Sequence, residues 1–225
     1  RRPSIRSAAR SRFDFSGHDA AALVARAVRP PPYAGEMTLI RGYLAMSLDG
    51  FIAGPNDEVA WLEEPRESGL PLATADWEER DANGLEFGDF LSRVGAIVMG
   101  RRTFDVVRGF SGPWPYGDTP MIIVTSSDIP DGPGNATAFH GSVPDAIAAA
   151  RAAAGELDVY VDGGRTLRAA LDAGLLDHLV ITVLPTVLGD GIALFAGLEQ
   201  RAEFAIERVE KWGPGMVQLH LTARG

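Results

Sequence analysis

The chain contains no cysteine. Disulfides, thiolate metal sites and cysteine nucleophiles are therefore excluded, and a reducing cytoplasm is the expected location. Histidine is scarce as well. His18, His140, His178 and His220 are scattered, with no ligand spacing such as HxxxH, so no metal site is expected. No apolar run approaches the roughly 20 residues of a membrane helix, so no membrane partner is expected. Positive charge is in deficit: 21 Lys and Arg face 30 Asp and Glu, a formal net charge of −9. Such a surface excludes a general nucleic-acid binder, which needs basic groups for the phosphates. It leaves open a small anionic cofactor, which needs only a local positive cluster. Three familiar signatures are also missing: the GxxxxGK[ST] phosphate loop, a GxGxxG after the first strand, and the GxSxG nucleophile elbow.

What is present is a chain of 225 residues, 46% apolar, long enough for one domain with a sizeable core. Residues 1–36 differ from the rest. They hold seven arginines, three acids and the run Arg29-Pro30-Pro31-Pro32, and Met37 is the first methionine. Three consecutive prolines favour an extended linker. A flexible extension, a transit peptide and a short docked helix over 18–28 are the open readings, and the body is expected over 37–225.

The body alternates strand and helix patterns. Residues 38–48 read as a strand, and 76–94 contain a helix pattern with Phe87, Phe90, Leu91 and Val94 at helical spacing. Residues 95–100 form a short, continuously apolar strand of the kind buried on both faces. RRTFDVVRGF reads as a helix, and 120–127 and 136–140 as strands. Ser142 and Gly155 frame an alanine-rich helix as N-cap and stop. Strand, helix and strand follow over LDVYVDGG, RTLRAALDAGL and DHLVITVLP. Two alternating segments around Gly213-Pro214-Gly215 read as a closing antiparallel hairpin. The sum is an α/β fold: a mainly parallel sheet, helices on both faces, and an antiparallel carboxyl-terminal edge hairpin.

In such sheets ligands bind beyond the carboxyl ends of the strands. Those ends read Gly100-Arg101-Arg102-Thr103, Thr125-Ser126-Ser127, Asp162-Gly163-Gly164-Arg165-Thr166 and Leu188-Gly189-Asp190-Gly191. Glycines let a phosphate approach helix amides, and arginines and hydroxyls add donors. One glycine alone would be a turn; four such ends at one rim describe a pyrophosphate and ribose-phosphate site.

LAMSLDGFIAG (44–54), VMGRRTFD (98–105), VTSS (124–127), VDGGRTLRAAL (161–171) and LPTVLGDGIALF (184–195) resemble the dihydrofolate reductase-like superfamily. Within it they are most similar to the branch holding the reductase domain of the riboflavin-biosynthesis deaminase-reductase. The similarity spans about residues 38–223. The resemblance implies the three-layer fold of that superfamily and NADPH as cofactor. It places Gly100, Arg101, Arg102 and Thr103 at the phosphates, with one arginine on the 2′-phosphate. Thr125 and Ser126 would lie by the adenosine ribose or its phosphate, and Gly163, Gly164, Arg165, Thr166 and Leu167 around the pyrophosphate. Ala45, Ile52 and Ala53 would border the nicotinamide, with Leu188 and Gly189 shaping the pocket.

For the substrate the resemblance implies Ser47, Trp61, Phe104 and Asp162, with Trp114 and Tyr116 on the far wall. Asp49 and Asp162 are the candidate catalytic carboxylates; an Asp-Gly turn and a helix N-cap are their respective alternatives. WLEEPRESGLP (61–71) offers no clean match to the first-helix carboxylate of folate reduction, which argues against dihydrofolate. Without cysteine the zinc site of the partner deaminase cannot exist. The expectation is an NADPH-dependent reductase of a small heteroaromatic compound, pterin-like or riboflavin-precursor-like; the alternative is an NADPH-binding sensor or scaffold without turnover. A homodimer is also expected, from Val217, Leu219 and Leu221 on alternate positions and from the pairing of related domains.

Overall fold

The computed structural model describes residues 38–62, 85–129, 133–212 and 215–224. The extension over 1–36, the glutamates Glu63, Glu64 and Glu67, and residues 76–84 of the 76–94 pattern lie outside them. Among the described residues no helix is long and apolar enough to cross a membrane.

Among the described residues ten strands and four α-helices follow in order: β1 (Ile40–Ser47), β2 (Phe51–Ala53), α1 (Phe87–Leu91), β3 (Val94–Gly100), α2 (Arg101–Arg108), β4 (Met121–Val124), β5 (Ala136–Phe139), α3 (Val143–Ala154), β6 (Asp158–Asp162), α4 (Gly164–Asp172), β7 (His178–Leu184), β8 (Ile192–Ala193), β9 (Glu203–Trp212) and β10 (Met216–Arg224). Eight of the strands form one sheet in the order β5-β4-β3-β6-β1-β7-β10-β9. The six from β5 to β7 are parallel, and β10 runs antiparallel to both neighbours.

Strand β3 shows why the sheet is covered on both sides. Ala96, Ile97, Val98 and Met99 are all fully buried, so neither face tolerates a polar residue. Ala96 and Val98 pack with Val159 and Val161 of β6 against Ala146, Ile147 and Ala150 of α3 and Leu167 and Ala170 of α4. Ile97 and Met99 pack with Met121, Ile123 and Tyr160 against Phe90 of α1 and Phe104 and Val107 of α2. The caps of α3 stand as read: Ser142 Oγ accepts from the Asp145 amide at 3.2 Å, and Gly155 ends the helix at φ 64°.

Two features differ from the sequence reading. The described part of the 76–94 helix is only α1, and Val94 already begins β3; Ser92 Oγ donates to the Asp89 carbonyl at 2.7 Å as the chain turns. The hairpin is present as read: β10 pairs antiparallel with β7 and with β9, and β9 forms that edge of the sheet. A second, two-stranded sheet of β2 and β8 was not read, because three and two residues carry no usable periodicity.

Candidate functional site

Because β4, β3, β6, β1 and β7 are adjacent and parallel, their carboxyl ends share one rim. Side-chain and backbone contacts join these ends. Arg101, opening α2 after β3, reaches the loop after β4: its Nη1 donates to Ser127 Oγ at 3.3 Å and to the Asp128 carbonyl at 3.0 Å. A Cβ on Gly100 would stand 3.1 Å from Thr166 Oγ1, so the starts of α2 and α4 face each other. A Cβ on Gly163 would strike the Thr103 side chain, and one on Gly164 would lie 2.5 Å from Ile52 Cδ1. Gly163 also has φ 91°, which disfavours every side chain.

The two helix starts have the same chemistry. Gly100 and Gly163 are the N-cap residues of α2 and α4, neither has a side-chain cap, and neither first turn contains an acid. By helix geometry the amides of Arg101, Arg102 and Thr103, and of Gly164, Arg165 and Thr166, have no carbonyl to bond within their helices. Two uncapped, positively polarised ends side by side form an anion cradle, and the missing glycine side chains let the two starts pack this closely. The residues present thus fit a phosphorylated dinucleotide. The two arginines separate by their partners. Arg101 stays with the 125–128 loop and with Asp105 at 2.8 Å, whereas Arg102 Nε pairs with Asp57 Oδ2 at 2.6 Å, on the 55–57 turn. Thr125 is held in a local turn, its Oγ1 accepting from the Ser127 amide at 3.1 Å, and Ser126 is exposed. One member of the expected set is differently engaged: Leu167 is fully buried in the core, and its amide bonds to the Gly163 carbonyl at 2.9 Å.

The two candidate carboxylates occupy opposite environments. Asp49 is exposed and works as a clasp: Oδ1 accepts from Ser47 Oγ at 2.7 Å and the Leu188 amide at 3.1 Å, and Oδ2 from the Gly189 amide at 2.7 Å. These donors, the Ser47 hydroxyl first, hold its pKa below the usual carboxylate range. The clasp therefore contributes above the unfolded-state pKa of Asp49 and is lost as pH falls through the lowered folded value. It also occupies the Leu188 and Gly189 amides. Ser47 is fully buried and accepts from the Phe51 amide at 2.9 Å, so it shapes the start of the 48–60 segment.

Asp162 ends β6 with its carboxyl enclosed, although the residue keeps some surface access. Tyr116 Oη donates to its Oδ2 at 2.5 Å. Burial raises the Asp162 pKa above the ordinary value, opposed first by the Tyr116 hydrogen bond and then by the adjacent Tyr160 phenol and the Gly163 amide. An aromatic wall surrounds the pair. Trp114 and Tyr116 meet edge to face at 5.3 Å between ring centroids, Phe104 and Trp114 at 6.0 Å, and Phe87 and Tyr116 at 6.1 Å. The Trp114 indole N–H is buried with no acceptor among the described residues.

Phe104 is fully buried and supports Trp114 rather than facing open space. Trp61 is 3% exposed, in a cluster with Leu184 and Met216 that Ala45 and Leu188 border. Sequence reasoning assigned Tyr116 only to a far wall and missed its bond to Asp162. The available signal was a tyrosine in a Pro/Gly-rich turn, GPWPYG. Among the described residues no cluster of His, Cys, Asp or Glu is suited to hold a metal ion.

Comparison with known proteins agrees with this architecture. The model of the RibD C-terminal domain matches residues 39–218. YwjB of Bacillus subtilis (strain 168), an uncharacterized protein, is 28% identical over 179 residues, spanning 79% of this chain and 94% of that protein. The crystal structure of a putative riboflavin biosynthesis protein from Shewanella sp. PV-4 has a TM-score of 0.67 at 29% identity, over 84% of this chain and 100% of that one. A Thermotoga maritima diaminohydroxyphosphoribosylaminopyrimidine deaminase/5-amino-6-(5-phosphoribosylamino)uracil reductase shares the fold, with a TM-score of 0.54 at 16% identity; 57% of that longer chain is covered. Fold, rim and a family match across nearly the whole described body lead to one assignment: the chain belongs to the RibD C-terminal domain family, with its dihydrofolate reductase-like fold.

Proposed function

We propose that the chain is an NADPH-dependent reductase of a small heteroaromatic substrate, pterin-like or riboflavin-precursor-like. The observation that carries this reading is the pair of uncapped helix starts, α2 and α4, facing each other beside Arg101. Family membership supports it, as does the reductase named in the Thermotoga relative. Bound NADPH supplies the hydride. The chain's own part is to hold the pyrophosphate on the amides of Arg101–Thr103 and Gly164–Thr166, and the 2′-phosphate on Arg101 and the 125–127 hydroxyls. Ala45, Ile52 and Ala53 border the nicotinamide, and the Trp114–Tyr116 wall limits water at the reacting atoms. Asp162 handles the proton, since an enclosed carboxyl keeps its proton to higher pH than an exposed one.

Calorimetric titration with NADPH and NADH tests the reading. Wild-type protein is expected to prefer NADPH. Arg101→Ala is expected to weaken NADPH about 10- to 100-fold, as removal of one charge-assisted hydrogen bond would, with little change for NADH. Equal losses for both cofactors would make Arg101 structural, and no NADPH binding by the wild type would remove the reading.

A homodimer belongs to the same proposal. Ile206 and Val209 of the edge strand β9 are 63% and 57% exposed, and neighbouring Val217 is 38% exposed. An apolar sheet edge of this kind is normally covered. Light scattering at micromolar concentration should give twice the chain mass, and a monomer mass would contradict it.

A further inference from the structure

We propose that Tyr116 is a positioning residue: its hydrogen bond to Oδ2 holds the Asp162 carboxyl in the orientation from which it hands a proton to the substrate as hydride arrives. The inference rests on the reductase reading and assigns a role at that site to a residue outside the cofactor rim.

The geometry singles out Tyr116. Two phenols lie against the carboxyl, but Tyr160 has one proton and donates it to the Tyr43 carbonyl at 2.7 Å. Tyr116 is the phenol whose proton goes to Asp162, at 2.5 Å. It is 5% exposed, and Trp114, Phe87 and Tyr160 pack against its ring. Its loop is fastened from outside the site as well. Asn135 Nδ2 donates to the carbonyls of Gly117 at 3.1 Å and Thr119 at 2.6 Å, on either side of the turn that follows Tyr116. A phenol held this firmly fixes the carboxyl rotation.

The step balances. Bound NADPH would supply the hydride, becoming NADP⁺, to the electrophilic carbon of a C=N or C=O group, whose π pair would move to the heteroatom. The Asp162 O–H bond breaks and its proton joins that heteroatom. The Asp162 carboxylate would keep the Tyr116 hydrogen bond, and water would return the proton.

Among the described residues the ionisable groups around the carboxyl are phenols: Tyr116 on the 109–120 loop, Tyr160 on β6, and Tyr43 on β1, which itself feels Glu86. Helices α1 and α2 present Phe87, Phe90 and Phe104 to this cluster. A shift caused by Tyr116 is thus readable without competing charges from those elements.

The test compares wild type with Tyr116→Phe, which keeps the ring and removes the donor. Infrared difference titration of cofactor-free protein follows the Asp162 carboxyl band, assigned by its loss in Asp162→Asn. Removing a donor to the carboxylate should raise the midpoint by about one pH unit. With substrate, kcat should fall about 10-fold or more, and its alkaline limb should move up with the midpoint. Placing 3-fluorotyrosine at 116, a stronger donor of nearly the same shape, should move the midpoint down; it also covers the case that Tyr116→Phe folds poorly. Midpoints that stay put in these variants would overturn the proposal, as would an unchanged pH profile. The infrared reading needs no turnover, so an inactive wild type would count against the reductase reading alone.

Discussion

Asp162→Asn lowers kcat for substrate reduction by about 100- to 10,000-fold, the range for losing a general acid, and leaves the NADPH dissociation constant within about twofold. Asparagine keeps the size and the acceptor oxygen of aspartate but has no acidic proton. The cofactor rim lies in the amides of α2 and α4 and in Arg101, none of which the substitution removes. The pH dependence gives the sign. Burial raises the folded-state pKa of Asp162, so its proton is held more tightly in the native than in the unfolded chain. Its contribution to stability is fully present below the unfolded-state pKa and is lost as pH rises through the folded one. Above that pH the native protein carries a buried charge, and the neutral asparagine relieves it. The melting temperature of the variant at pH 8 should therefore equal or exceed that of the wild type. An activity loss accompanied by a large fall in melting temperature would mean that Asp162 is chiefly structural.

Gly163→Val removes cofactor binding, weakening NADPH about 100-fold or more. Three effects act together. The residue has φ 91°, where a β-branched side chain costs about 1–3 kcal/mol. Its Cβ runs into Thr103, which forces the start of α2 away from the start of α4. The amides of the two helix ends then no longer converge on one pyrophosphate. Each charge-assisted hydrogen bond broken in this way is worth about 1.5–3 kcal/mol, or one to two powers of ten. Calorimetry reads the affinity, and circular dichroism shows whether the fold persists. A folded variant with wild-type affinity would show that the close approach at Gly163 does not serve the ligand.

Much of this arrangement was readable from residue order, because its causes are local. The run Gly95–Gly100 reads as a doubly buried strand, and β3 is one. Ser142 and Gly155 delimit α3 as a cap and a stop should. The strand-end glycines share a rim because parallel strands must end together. The differences have non-local causes. Asp49 and Asp162 look alike in sequence, each following a strand and preceding glycine. Asp49 becomes a clasp because Leu188 and Gly189, some 140 residues away, bring their amides to it. Asp162 becomes an enclosed acid because Tyr116, 46 residues earlier, covers it. Arg101 and Arg102 are adjacent and chemically identical; only the folded positions of Ser127 and Asp57 separate them. The place of β10 inside the sheet depends on its pairing with β7, which hairpin periodicity does not encode.

The central claim is that the paired starts of α2 and α4 bind the phosphates of a nicotinamide dinucleotide through their main chain. Amide NMR shifts of the full chain titrated with NADPH test it most directly. The account predicts that Arg101, Arg102, Thr103, Gly164, Arg165 and Thr166 shift along one saturating curve. A saturating titration in which those six amides stay still would contradict it, and so would no response up to millimolar NADPH.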